Sequence, residues 1–192
     1  MALAALLIAL GLIAGLATGG SLRALAHTRF RCIEVLIAGF ALQLAVTFLP
    51  WKPFKDEGFW LILIASAAAA LFMLFNRRLP GMTLAAIGLT LNVLVIALNQ
   101  GMPVSTRAIE LAGAAAFEAE GEHIKLDPDT KLPWLTDVIP IPVDGSVLSV
   151  GDLLLALGLA RLVYGRTKGE GELPVDGVKN GSRRADDEVV PE

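Results

Sequence analysis

The sequence predicts an all-α membrane protein in which five transmembrane helices carry an extracytoplasmic cap, made of one interfacial helix and a Pro-rich strap. Four apolar runs of 17 residues crowd into the first half of the chain, and Glu34 is their only ionisable residue. As helices, such runs reach about 26 Å, close to the ~30 Å hydrocarbon core of a bilayer. A fifth apolar run follows a long polar segment. The predicted spans are residues 2–18, 33–49, 59–75, 82–98 and 147–164, and the predicted cap is residues 99–146.

The overall composition favours lipid exposure over an aqueous surface. Of the 192 residues, 55% are hydrophobic and 18% are charged, whereas soluble domains average ~45–50% and ~25%. No basic stripe with interleaved aromatic residues is present, which argues against nucleic-acid binding. Cys32 is the only cysteine, so the chain cannot form an internal disulfide.

Charged residues in the connections predict the orientation in the membrane. Residues 19–32 and 76–81, which follow the first and third spans, carry arginines and no acid. Residues 99–146 instead carry three basic residues against eight acidic ones. Because short cytoplasmic loops are enriched in Lys and Arg, we expect a multi-pass cell-membrane protein with its N-terminus outside and its C-terminus in the cytoplasm.

The predicted cap begins where Gly101 and Pro103 end the fourth span. Ser105 or Thr106 can then cap a short interfacial helix that runs to about Glu120. Beyond it, three prolines within residues 133–142 predict an extended strap that covers the mouth of the helix bundle or lies along the membrane interface.

The fifth span opens with a helix-capping pattern. Ser149 is followed three residues later by Asp152, which matches a capping box and places a carboxylate at the positive end of the helix dipole. Residues 166–192 are rich in Gly and charged residues, so we expect a disordered cytoplasmic tail there.

The motifs of the cap also carry a family resemblance. Residues 99–105 read Asn-Gln-Gly-Met-Pro-Val-Ser, residues 137–142 read Asp-Val-Ile-Pro-Ile-Pro, and residues 149–152 read Ser-Val-Gly-Asp. With Ala112-Gly113 and His123, this pattern resembles a family of small bacterial integral membrane proteins known as a domain of unknown function. The resemblance implies a multi-spanning membrane fold and no particular activity.

A candidate ligand site lies where helices are interrupted at the outer face. Helix N-termini at Ser105 and Ser149 would supply positive dipole ends, and carboxylates would supply acceptors. The alternative, slightly favoured by the sequence, is that the same groups only cap helices and hold the strap. The candidate ligand-binding residues are Asn99, Ser105, Trp134, Asp137 and Asp152.

Other polar residues favour structural roles. His123 has acidic neighbours along the chain but matches no defined ligand spacing, so a solvated acidic face is expected, with no metal and no cofactor. Gln43 and Asn92 lie inside predicted spans, where an interhelical hydrogen bond is the expected role and a polar pathway the alternative.

The sequence favours a non-enzymatic function over catalysis. The leading hypothesis is an accessory or scaffolding membrane subunit that binds a lipid or lipophilic small molecule under the cap. The alternative is a small transporter or channel component, and a membrane-embedded enzyme ranks third because no catalytic constellation is found. Expected partners are the lipid bilayer and other membrane subunits, or a second copy through Gly11, Gly15 and Gly19.

Overall fold

A computed structural model describes residues 2–48, 58–113 and 123–171. Within them the chain forms seven α-helices, one 3₁₀ turn and four short strands. The α-helices are α1 Ala2–Ala17, α2 Leu22–Ala26, α3 Ile33–Phe48, α4 Gly58–Phe75, α5 Met82–Asn99, α6 Thr106–Ala112 and α7 Val150–Thr167. The strands are β1 Met102–Val104, β2 His123–Lys125, β3 Ile139–Ile141 and β4 Ser146–Leu148, and the 3₁₀ turn is Pro133–Leu135.

The long helices pack in the order α3–α4–α5–α7–α1. α1 runs parallel to α7: Gly11 faces Ala160, and Gly15, further along α1, faces Thr167, further along α7. α5 runs antiparallel to α7, because Gly88 faces Gly151 while Ala85 faces Gly158. Among the described residues, the largest buried cluster lies between α4, α5 and α7 and consists of Phe72, Met73, Met82, Ala85, Ala86 and Leu162.

The prediction of five transmembrane helices is wrong. In the described part of the chain, only α5 is both long and apolar enough to cross a membrane. α1 and α3 have 16 residues each, about 24 Å at the rise of an α-helix, and the described apolar stretch of α4 is Trp60–Phe75. α7 has 18 residues, but Asp152, Arg161 and Arg166 lie within it. The predicted multi-pass topology therefore lacks support.

The cap contains β-structure, so the chain is not all-α as predicted. β1 pairs in parallel with β2, with Met102 opposite His123, and Val104 also bridges to Asp137 on the other side of β1. β3 pairs antiparallel with β4, with Ile139 opposite Leu148. Within the predicted strap, Pro133–Leu135 form the 3₁₀ turn and Ile139–Ile141 form β3. Pro140 can lie in this strand because proline lacks an N–H but still has a carbonyl group that can accept a hydrogen bond.

The helix of the cap is shorter than predicted. Ser105 caps α6, as expected, by accepting a hydrogen bond from the backbone N–H of Ala108. The helix ends at Ala112 because Gly113 adopts a left-handed conformation with φ +71°, a common helix stop. Residues 114–122 and 172–192, and with them the rest of the predicted interfacial helix and most of the predicted tail, lie outside the described residues, as does the side chain of Gln43.

Candidate functional site

A hydrogen-bond network joins α5 to the first turn of α7. The Ser149 hydroxyl accepts from the backbone N–H of Asp152, and the Asp152 carboxylate accepts from the N–H of Ser149, so the predicted capping box is confirmed. Asn92 on α5 donates through Nδ2 to Asp152 Oδ1 at 2.7 Å, and its Oδ1 accepts from the Ser149 hydroxyl at 3.0 Å. Asn92 therefore forms the interhelical hydrogen bond expected of it.

Close approach of the two helix backbones makes this network possible. A Cβ on Gly151 would lie 1.9 Å from Asn92 Oδ1 and 2.7 Å from the Gly88 carbonyl oxygen. Only glycine leaves that space, so Gly151 allows Asn92 to reach the start of α7.

Asp137 is held under the cap by its own backbone. Its N–H donates to the Pro103 carbonyl at 3.0 Å, and its carbonyl accepts from the Ser105 N–H at 2.9 Å. The side chain is only 6% exposed, and its Oδ2 lies 3.6 Å from Nδ1 of His123. β1 therefore brings a histidine and a carboxylate together from segments that are distant in sequence.

The other three predicted site residues lie elsewhere in the cap. Asn99 binds the backbone of Lys131, donating to its carbonyl at 3.0 Å and accepting from its N–H at 2.8 Å. Ser105 caps α6. Trp134 is 64% exposed. Asn99 and Ser105 thus hold the cap in shape, which is the structural alternative raised by the sequence.

A cleft of about 510 Å³ opens between the cap and the starts of α1 and α7. Its polar lining comes from Asn92, His123, Asp137 and Asp152, together with Ser146. The apolar wall consists of Ala4, Ile96, Met102, Val104, Ile109, Val147, Leu148, Leu155, Ala156 and Leu159. Of the five predicted site residues, two line this cleft, Asp137 and Asp152.

From sequence, His123 was expected on a solvated acidic face and Asn92 in an interhelical hydrogen bond. Neither was predicted to line a ligand site. Asn92 had a usable signal, because it is a polar side chain in the middle of an apolar helix. His123 had none, because its position depends on pairing with the Met102–Val104 strand. The pairing itself joins segments about 20 residues apart, and no local pattern announces it.

The start of α1 is tied to the β3–β4 hairpin at the edge of the cleft. The backbone N–H of Ala2 donates to Asp144 Oδ2 at 2.8 Å, and the Ser146 hydroxyl donates to Asp144 Oδ1 at 2.5 Å. These two hydrogen bonds hold the pKa of Asp144 well below its ordinary value, and the bond from the Ser146 hydroxyl has the larger effect.

The fold and the site define a class of protein: a largely helical chain whose small mixed cap roofs an amphipathic cleft. The chain belongs to the DUF5317 family, a family of unknown function whose model matches residues 27–164. The predicted resemblance to a domain of unknown function is thereby confirmed.

The chain is 31% identical over 127 residues to an uncharacterized protein of Thermotoga maritima, a match that covers 62% of this chain and 68% of the relative. No solved structure matches the chain significantly.

Proposed function

We propose that this protein is a non-enzymatic, membrane-embedded accessory subunit that holds a lipophilic small molecule in the cleft beneath its cap. The observation that carries this proposal is the lining of the cleft, which combines ten apolar residues with five polar ones. Small-molecule sites commonly combine apolar walls with a few polar groups in a volume of ~300–1,000 Å³.

Exposed apolar side chains support the membrane part of the proposal. Ile13 on α1, Ile37 and Phe40 on α3, and Trp60 on α4 are each about 60% exposed. Single exposed apolar residues are ordinary on soluble proteins, whereas contiguous apolar surface marks contact with lipid or with a partner. The length and apolarity of α5 support the same interpretation.

Of the predicted partners, the lipid bilayer is part of this proposal, whereas a second copy of the chain is not. Lipid fits the exposed apolar faces of the helices. The proposed contact between copies through Gly11, Gly15 and Gly19 stays a prediction, and the faces of Gly11 and Gly15 already lie against α7 in a single chain.

The polar groups inside the helices favour binding over transport. Both oxygens of Asp152 accept hydrogen bonds, from Asn92 and from the Ser149 N–H, and the Ser149 hydroxyl is bonded to Asn92. Groups that satisfy one another in this way stabilise a helix junction, and they give the transporter alternative no specific support.

A photoreactive lipid probe tests the proposal. We expect purified protein in nonionic detergent to be labelled by a tetradecanol that carries a diazirine, with cross-links on α7 between Leu155 and Leu159. Val147→Trp should abolish most of the labelling, because Val147 lines the cleft and an indole would fill it.

Val143→Trp is the matched control. It makes the same substitution in the same hairpin, at a side chain that is 94% exposed, and should leave labelling unchanged. Equal labelling of the two variants would refute binding in the cleft. Release of the protein from membrane pellets by alkaline carbonate would refute membrane embedding.

A further inference from the structure

The ionisable residues of the cleft lie on the cap and on the first turn of α7, and an apolar stretch of α7 continues beyond them. Asp137 and His123 belong to the cap, and Asp152 lies in the first turn of α7. Leu155, Ala156 and Leu159 continue the lining along the same helix, and the rise per residue puts Leu159 about 10 Å beyond Asp152. An occupant that matches this lining is an amphiphile with its head beside the two aspartates and its chain along α7.

The charge in the cleft has a definite sign. The ionisable residues that line the cleft, within the described ranges, are two aspartates and one histidine, with no Lys or Arg among them. As carboxylates, the aspartates outweigh the imidazole whether or not it is protonated. Asp137 is nearly buried, and charges interact more strongly when they are shielded from water.

We propose that the cleft selects an amphiphile with a positively charged amine head, such as a long-chain alkylammonium, over one with a neutral or anionic head. This inference rests on the proposed function and adds the chemistry of the head group. Carboxylate oxygens accept more than one hydrogen bond each, so Asp137 and Asp152 can receive N–H donors beside their present contacts. A fatty-acid or phosphate head would bring a like charge against both groups.

Three probes of equal chain length test the selection on the wild-type protein. Tetradecylamine, tetradecanol and tetradecanoate are titrated separately at neutral pH in nonionic detergent, and bound adducts are measured by native mass spectrometry. The amine is charged at this pH, as lysine is. We expect the amine to bind about tenfold or more tightly than tetradecanoate, with the alcohol between them.

Variants locate the preference. Asp137→Asn should bring the affinity for the amine close to that for the alcohol, whereas Asp129→Asn, on an exposed turn of the cap, should leave it unchanged. Val147→Trp should remove the preference together with binding, which separates the cleft from general attraction of the amine to an acidic protein. The elution volume and far-UV spectrum of each variant show that it has folded.

The possible outcomes distinguish the two proposals. If the alcohol and the amine bind equally well and Val147→Trp blocks both, the cleft binds lipophiles but the head-group inference is wrong. If tetradecanoate binds best, the inference is likewise wrong. If none of the three probes binds wild-type protein, the proposed function fails and this inference fails with it.

Discussion

Asn92 is the residue on which the junction between α5 and α7 depends. It is 8% exposed, and its amide donates to a carboxylate and accepts from a hydroxyl on the facing helix. A buried polar group that loses its partner costs about 1–3 kcal/mol, and removing this one amide takes a partner from two groups at once.

We expect Asn92→Leu to lower the free energy of unfolding by about 1–3 kcal/mol, because a side chain of similar size leaves Asp152 Oδ1 without its donor and the Ser149 hydroxyl without its acceptor. Denaturant unfolding in detergent micelles measures the change. Thr90→Leu, at an exposed position on the same helix, is the control. Equal stability of Asn92→Leu and wild type would show that water replaces the amide without loss.

The sequence predicts the position of a candidate-site residue best where helix geometry fixes it, and the ligand-binding role itself stays a prediction. Asp152 was placed correctly because Ser149 and Asp152 are three residues apart in one helix turn. Asp137 was named without its partner, because its contact with His123 arises only when β1 joins the two segments. Asn99 and Ser105 look functional in sequence, yet their described hydrogen bonds hold the local backbone.

At the scale of elements, glycine sets how closely the helices approach. A Cβ on Gly158 would lie 2.4 Å from the Ala85 backbone nitrogen and 2.8 Å from its Cα. Both atoms are backbone and cannot swing aside, so any side chain there must push α5 and α7 apart.

We expect Gly158→Ala to destabilise the protein by about 1–3 kcal/mol, the usual range for overpacking a tight interface. Gly39→Ala is the matched control between α3 and α4, where the nearest atom to a new Cβ lies 3.3 Å away and a small adjustment suffices. Thermal unfolding of both variants in the same detergent gives the comparison. A larger loss in Gly39→Ala than in Gly158→Ala would contradict this account of the packing.

The long helices were predictable as elements and not as membrane spans. Four of the five predicted segments match a helix to within one residue at each described end, because uninterrupted apolar runs bounded by Gly, Pro and charged residues favour helices. Their classification as five spans failed on helix length and on charged residues within α7. The cap was predicted as helix and strap because strands of three residues leave no alternating pattern to detect.

At the scale of the whole molecule, charge is distributed unevenly between the two ends of α5. Exposed Arg77 and Arg78 precede its start, while the cap that follows its end is predominantly acidic. On the proposed membrane location, an excess of positive charge marks the cytoplasmic side, and the cap faces outward.

Cysteine labelling tests this orientation. In a Cys32→Ser background, we expect Lys125→Cys, in β2 of the cap, to react with a membrane-impermeant maleimide added to intact cells. Arg78→Cys, at an exposed position just before α5, should react only after the cells are opened. The reverse pattern would show that the cap faces the cytoplasm.

The hydrogen bonds of β1 restrict the path by which a ligand can enter and leave the cleft. Its backbone is bonded on both sides: the Val104 carbonyl accepts from the Leu126 N–H, and the Pro103 carbonyl accepts from the Asp137 N–H. Because β1 follows directly after α5, the roof of the cleft cannot hinge open without breaking both sets of bonds. On the proposed membrane location, we therefore expect a bound lipophile to exchange laterally, from the bilayer past the first turn of α1, with a residence time set by how often the Ala2–Asp144 contact opens.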